Sequence, residues 1–260
     1  MKKFIMFVMA MIFIVTSSEE SYSKSLSGNY RNKQRNSSDI EMVYVAGGTF
    51  TMGASPNDLA ARYNEEPAHS VTVSGFYIGK YEVTQKQWVE IMGSNPSNYK
   101  GDELPVENVN WNDVQEFILK LNAKTGKKYR LPTEAEWEFA ARGGNKSKGY
   151  KYSGSNKISA VACYRDRLGS KTQPVGTKAP NELGIYDMSG NVCEWCSDCY
   201  GIYSSDPQTN PKGPSSGSDR VIRGGSFFHN AEHCRVSSRT FCLSEYGLFS
   251  IGFRLVLDAE

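Results

Sequence analysis

A loop-rich α+β domain is what this sequence predicts, on three observations. The chain carries 24 glycines and 15 tyrosines in 260 residues. Three helices with complete start signals fall between residues 84 and 144. Strand-like segments flank them, and long glycine-rich, polar stretches follow residue 144. Few helices, short strands and many turns point to small antiparallel sheets joined by loops.

Met42–Val45 and Thr49–Met52 surround Gly47-Gly48, a spacing that predicts a hairpin. His69–Val73 alternates like a strand, and Phe76–Val83 reads as another with Gly79 inside it. Thr84 can cap the first helix, with Gln87 closing a capping box and Val83 and Trp88 forming a hydrophobic staple. Asn112 caps the second, with Gln115 three residues on. Val114, Phe117, Ile118 and Leu121 line one face of that helix, and Gly126 ends it. Thr133 and Glu136 open the third, Trp137 begins its apolar stripe, and Gly143-Gly144 stops it. Arg220–Arg223 and Ile251–Leu257 are the last strand-like pieces.

Lys2, Lys3, the apolar run Phe4–Val15 and the small residues after it read as a secretory signal peptide over residues 1–23. That run is too short for a bilayer span, which takes about 20 residues. Residues 24–39 are polar and read as a disordered leader. Residues 40–260 remain as one domain. The protein is therefore expected to be exported, periplasmic or extracellular, with no membrane span after signal cleavage. Formal net charge is +2, with no basic run beyond the leader, so nucleic acid is excluded as a partner. Six cysteines, all beyond residue 160, face an oxidising compartment that permits disulfides.

Seven segments in order carry a family resemblance: MVYVAGGTFTMG (42–53), FYIGKYEVTQKQW (76–88), PVENVNWNDV (105–114), YRLPTEAEWEFAARGG (129–144), NELGIYDMSGNVCEW (181–195), RVIRGGSF (220–227) and IGFRLV (251–256). Together they resemble the formylglycine-generating enzyme (sulfatase-modifying factor) family. The resemblance runs from about Met42 to Leu257. It implies that family's C-type-lectin-like fold, with few helices against small sheets.

Enzymes of the family oxidise a sulfatase cysteine to formylglycine with oxygen. They hold copper on two cysteines placed soon after an Arg-Gly-Gly-Ser turn, and soft thiolates suit Cu(I). Here the turn is Arg223-Gly224-Gly225-Ser226, and His229 stands near where the first cysteine belongs. Cys234 is the residual catalytic candidate, and Cys242 lies beyond the arginines that follow it. One thiol does not make the two-thiolate site, so copper is not expected. An iron-dependent branch uses histidines on a separate helical domain. This chain has only His69, His229 and His233 and no such domain.

The resemblance also places a structural calcium ion on the side chains of Asp187 and Glu194 and the carbonyls of Gly190 and Val192. These are hard oxygen donors on a glycine turn. Cys193-x2-Cys196-x2-Cys199 looks like half a zinc cluster without its second half, so disulfides or buried thiols are expected instead. The resemblance suggests pairing Cys196 with Cys234.

Phe227, Phe228, His229, His233, Phe241, Tyr246, Leu248 and Phe249 crowd the last segment, where exposed aromatics can anchor a ligand. The segment also resembles the hypervariable tail of retroelement-diversified lectin-like proteins. The expected function is a binding or accessory module at the cell envelope, with a protein or surface ligand as partner and no copper-cysteine oxidase activity. Two alternatives stay open. One is an active copper-dependent formylglycine synthase; the other is a diversified lectin-like receptor.

Overall fold

The computed structural model describes residues 39–55, 57–166 and 170–259. The signal peptide and all of the leader but Asp39 lie outside the described residues. Three small sheets frame the domain. The first has the order β1-β4-β10, from Met42–Val45, Phe76–Gly79 and Val256–Asp258. The second is β2-β3-β6, from Gly48–Met52, His69–Val73 and Gln208–Thr209. The third is β8-β7-β5-β9, from Arg239–Leu243, Asp219–Arg223, Cys193–Cys199 and Ile251–Gly252. Four helices accompany them: α1 (Gln85–Met92), α2 (Trp111–Thr125), α3 (Glu134–Ala141) and the single turn α4 (Ile158–Val161). No helix among the described residues is long and apolar enough to cross a membrane.

Local chemistry sets the helix ends. Thr84 accepts from Gln87 N while the Gln87 side chain accepts from Thr84 N, and Thr133 and Glu136 do the same for α3. Each reciprocal pair satisfies two otherwise orphaned donors. The second helix starts earlier than its sequence suggests: Asn110, not Asn112, is the cap, and Asp113 closes the box. Asn110 Oδ1 accepts from Asp113 N at 2.9 Å, and Asp113 Oδ2 accepts from Asn110 N at 3.0 Å. Trp111 thereby enters the first turn of α2. Val114, Phe117, Ile118 and Leu121 form the buried face, as their spacing predicts.

The strands depart from the sequence reading in four respects. β1 and β2 do not form a hairpin; β1 pairs with β4, and β2 with β3. Gly47 gives the reason. A Cβ there would meet Val73 O at 2.7 Å, so the turn is pressed against the end of β3 and feeds two different sheets. The strand from Phe76 ends at Gly79, whose N–H turns to Leu255 O, while Lys80 N reaches Glu41 O. Ile251–Leu257 is not one strand. Its first residues pair in parallel with β5 and its last pair with β4, so Phe253-Arg254-Leu255 crosses between two sheets. Two pairings, β5–β9 and β3–β6, are parallel rather than antiparallel.

Two apolar clusters fill the interior. One lies under the first two sheets and α3, around Phe76, Ile78, Trp137, Phe139 and Cys196. The other packs α1 and α2 on the third sheet, with Trp88 stacked on Phe117 at 5.2 Å and both edge-on to Phe253. Val83 and Trp88, the expected staple, both belong to this second cluster.

Candidate functional site

The segment motifs converge on buried charge. Arg223, from the Arg-Gly-Gly-Ser turn, pairs with Glu138 of α3 and donates to the carbonyls of Val236, Ser237 and Ser238. Arg239 forks onto Glu134 at 2.7 Å on both oxygens, and Arg142 holds the other side of Glu138. Burial opposes ionisation of Glu134, but Arg239 and Arg223 overcome it and hold its carboxyl below the usual range. Arg235 forks onto Glu65 at 2.5 and 2.7 Å and reaches Asp58 at 2.8 Å. These pairs position the 223–239 segment on the helix and sheet layers.

A second charge cluster sits on the turn before β5. Asp187, Gly190 and Asn191 all adopt left-handed backbone, with φ of 59°, 85° and 58°. A Cβ at Gly190 would stand 2.2 Å from Cys163 O, so only glycine fits. Glu194 accepts both arms of Arg254 at 2.6 Å and the Trp137 indole at 2.8 Å. Glu82 accepts from Asn191 Nδ2 at 2.6 Å and Val192 N at 3.1 Å. Asp187 Oδ2 accepts from Gly176 N at 2.7 Å. Three buried carboxylates thus share one buried guanidinium. Burial, with repulsion from Asp187 and Glu194, drives Glu82 well above the normal carboxylate range. Burial also raises Asp187 to about 6.

The calcium assignment named Asp187, Gly190, Val192 and Glu194, and all four are buried along this one turn. Glu82 was missed. Its sequence signal is a lone acid inside the strand-like segment Phe76–Val83. Among the described residues no three His, Cys, Asp or Glu side chains converge to hold a metal. A cation here would rest on carboxylates plus backbone carbonyls. The oxygen donors and the shortage of positive charge fit a hard cation.

The thiols follow a different pattern. All six cysteines are free, so the Cys196–Cys234 disulfide is not formed. Cys196 lies in the first apolar cluster, whereas Cys234 packs with Tyr152 and Val161 in a small satellite cluster. Cys193 and Cys196 are three residues apart on β5 and enter different clusters, since neighbouring strand positions alternate faces. That geometry breaks the zinc-like spacing and leaves buried thiols. Cys193 Sγ lies 3.8 Å from His229 Nδ1, which also bonds Ser226 Oγ at 2.8 Å. Cys193 and Cys234 are near enough to repel each other as thiolates, yet they are only 2% and 0% exposed. Burial pushes the Cys234 thiol to about 12 and Cys193 higher still.

The predicted ligand surface divides. Phe227 is core, 1% exposed, with its ring edge-on to Tyr99 at 5.4 Å. Phe228 and Phe249 are exposed and meet edge to face at 5.2 Å. His229 and His233 are half-buried beside them, rings 5.0 Å apart. Phe241 instead packs on Tyr200 at 4.6 Å from the edge strand β8, and Tyr246 is exposed in the turn after it.

A family model for the sulfatase-modifying factor enzyme 1-like domain matches residues 27–259. The chain belongs to the formylglycine-generating enzyme family. A chaperone protein LppX of Paenibacillus barcinonensis is 36% identical, covering 76% of this chain and 82% of that one. The mouse formylglycine-generating enzyme is 29% identical, covering 84% of this chain and 75% of that one. Among solved structures, Treponema denticola variable protein 1 superposes with a TM-score of 0.77 at 33% identity, covering 85% of this chain and 95% of that one. PvdO from Pseudomonas aeruginosa gives 0.73 at 29%, covering 85% and 95%. The fold is the family's C-type-lectin-like one, loop-rich with few helices and small sheets. The family motifs fall on the buried ion pairs described above: Glu134 and Glu138 in one, Glu194, Arg223 and Arg254 in the others.

Proposed function

We propose that this chain is an exported binding or accessory member of the formylglycine-generating enzyme family, without copper oxidase activity. One observation carries the reading. The thiols nearest the Arg-Gly-Gly-Ser turn are sealed in the interior, and the family resemblance puts His229 near where the first copper cysteine belongs. A peptide cysteine and oxygen need an accessible site, and an accessible, low-pKa thiolate is what makes a cysteine reactive. The exposed Phe228–Phe249 pair supports binding in its place, as do relatives named as a chaperone protein and a variable protein. Cu(I) titration of the purified domain against a competing chelator, followed by incubation with a sulfatase cysteine peptide, tests this. No stoichiometric copper and no aldehyde are expected; tight copper with turnover would reverse the assignment.

The turn at Asp187–Glu194 is proposed as a structural calcium site. When bound, the ion would supply positive charge that three carboxylates around one arginine lack. Asp187 and Glu194 would hold it with the carbonyls of Gly190 and Val192, and Glu82 would brace the turn through Asn191 and Val192.

A second reading, diversification of the final segment, is favoured by the resemblance to a variable protein and by the exposure of Phe228, Phe241, Tyr246, Leu248 and Phe249. Its test is the coding DNA. Final-cytosine codons at those positions with a nearby template copy support it, and mixed third bases reject it.

A further inference from the structure

The exposed aromatic pair does not stand alone. Arg165 places its guanidinium 5.8 Å from the centre of the Phe228 ring, and its backbone N–H donates to His229 O at 2.8 Å. The loop before residue 167 is thereby tied to the loop after the Arg-Gly-Gly-Ser turn. From Arg165 the contacts run to Phe228, then to Phe249 on one side and to His229 and His233 on the other. Arg62, from a different part of the chain, lies close enough for its charge to act on His229 and His233. It immediately precedes the 3-10 turn Tyr63–Glu65, whose Glu65 clamps Arg235, two residues beyond His233.

Two sets of the domain's arginines contrast. Arg223, Arg235, Arg239 and Arg254 are buried, each matched to a carboxylate. Arg62 and Arg165 form no ion pair among the described residues, and Arg165 is exposed. Burial first, then Arg165 and Arg62, hold the His229 imidazole below its usual range; burial, then His229, then Arg62, Arg235 and Arg165 lower His233. The surface therefore joins unmatched positive charge to exposed apolar rings. Asp166 and Glu232, both exposed, adjoin Arg165 and His233 in sequence and are not among the charges that shift His229.

We infer that the strip Arg62–Arg165–Phe228–Phe249 docks an acidic segment of a partner protein bearing apolar or aromatic side chains. The inference rests on the binding reading above and gives it a ligand chemistry. Charge complementarity selects the acidic groups, which the two guanidinia can take bidentately. The ring geometry selects a peptide over a sugar. Phe228 and Phe249 meet edge to face at 78°, so the pair presents one ring face and one ring edge to a side chain and no flat double platform for a pyranose.

The test uses the mature chain and a fluorescein-labelled peptide of alternating glutamate and phenylalanine, read by anisotropy. A lysine–phenylalanine peptide of equal length, heparin and polygalacturonate serve as comparators. Binding of the acidic peptide, weakened by salt and roughly tenfold by Arg62→Glu with Arg165→Glu, is expected. Phe228→Ser should weaken it with the charges intact. Because Arg165 and Phe228 are exposed, Arg165→Glu and Phe228→Ser should keep the parent melting temperature, and the half-buried Arg62 makes Arg165→Glu alone the control for any loss of fold in the double variant. Equal affinity for the lysine peptide, indifference to the arginine reversals, or binding of a polyanionic glycan but not the peptide would overturn the inference. These outcomes are separate from copper turnover, which alone would sink the binding reading.

Discussion

The two buried charge clusters invite comparison. Around α3, Arg142, Arg223 and Arg239 face Glu134 and Glu138, and every carboxylate has a guanidinium within hydrogen-bond reach. Around the turn before β5, Glu82, Asp187 and Glu194 share Arg254 alone. The first cluster is complete in itself and holds elements together. The second is short of positive charge; burial first, then repulsion from neighbouring carboxylates, raises Glu82 and Asp187. Matched buried charge reads as architecture, whereas unmatched buried charge reads as a place for something else.

The largest expected effect comes from breaking the matched cluster. Arg223→Met would leave Glu138 buried with only Arg142 and orphan three carbonyl bonds. A loss on the order of 3–5 kcal/mol in urea unfolding is expected. A loss below about 1 kcal/mol would mean that water or neighbours replace the arginine readily. The unmatched cluster should respond to calcium. At about 100 times the dissociation constant the ion should add roughly 2.7 kcal/mol, seen as a rise in melting temperature that EGTA reverses. Asp187→Asn should shrink that rise, and an unchanged rise would place any calcium elsewhere.

Asp198 sharpens the contrast from the edge of the matched cluster. Burial first, then repulsion from Glu134, raises its carboxyl to about 7. The folded state thus binds a proton that the unfolded chain releases near 3.8, so stability from this group is full at low pH and is lost as pH rises toward 7. Asp198→Asn keeps an acceptor for Glu134 N and Ser197 Oγ but removes the titration. Relative to the parent it should gain on the order of 1–2 kcal/mol at pH 8 compared with pH 5. A parallel pH profile would exclude a raised Asp198. The smallest effect belongs to the exposed face: Phe228→Ala should change stability by no more than about 0.5 kcal/mol. A larger loss would make Phe228 a structural residue rather than a binding one.

Much of the site's chemistry was legible in the sequence, but its grouping was not. Phe227 and Phe228 are adjacent and chemically identical, yet one is core and the other is exposed. Only the packing of Tyr99 and Phe249 around them decides which. Cys196 and Cys234 suited a disulfide by family habit, but their side chains enter different clusters. Glu82 escaped notice because a single acid in a strand-like segment gives no spacing to read. Its partners lie more than a hundred residues away, at Asn191 and Val192.

By itself the sequence determined the three longer helices, their caps to within two residues, the family and the order of its motifs, but not the single turn Ile158–Val161. Those features depend on neighbours within a few positions, where side-chain and backbone chemistry act directly. Only the tertiary structure decided that β1 and β2 part company, that Ile251–Leu257 bridges two sheets, and which charges meet. Each of these is a contact between distant segments. The free energy of burying charge and apolar surface there depends on everything that surrounds it.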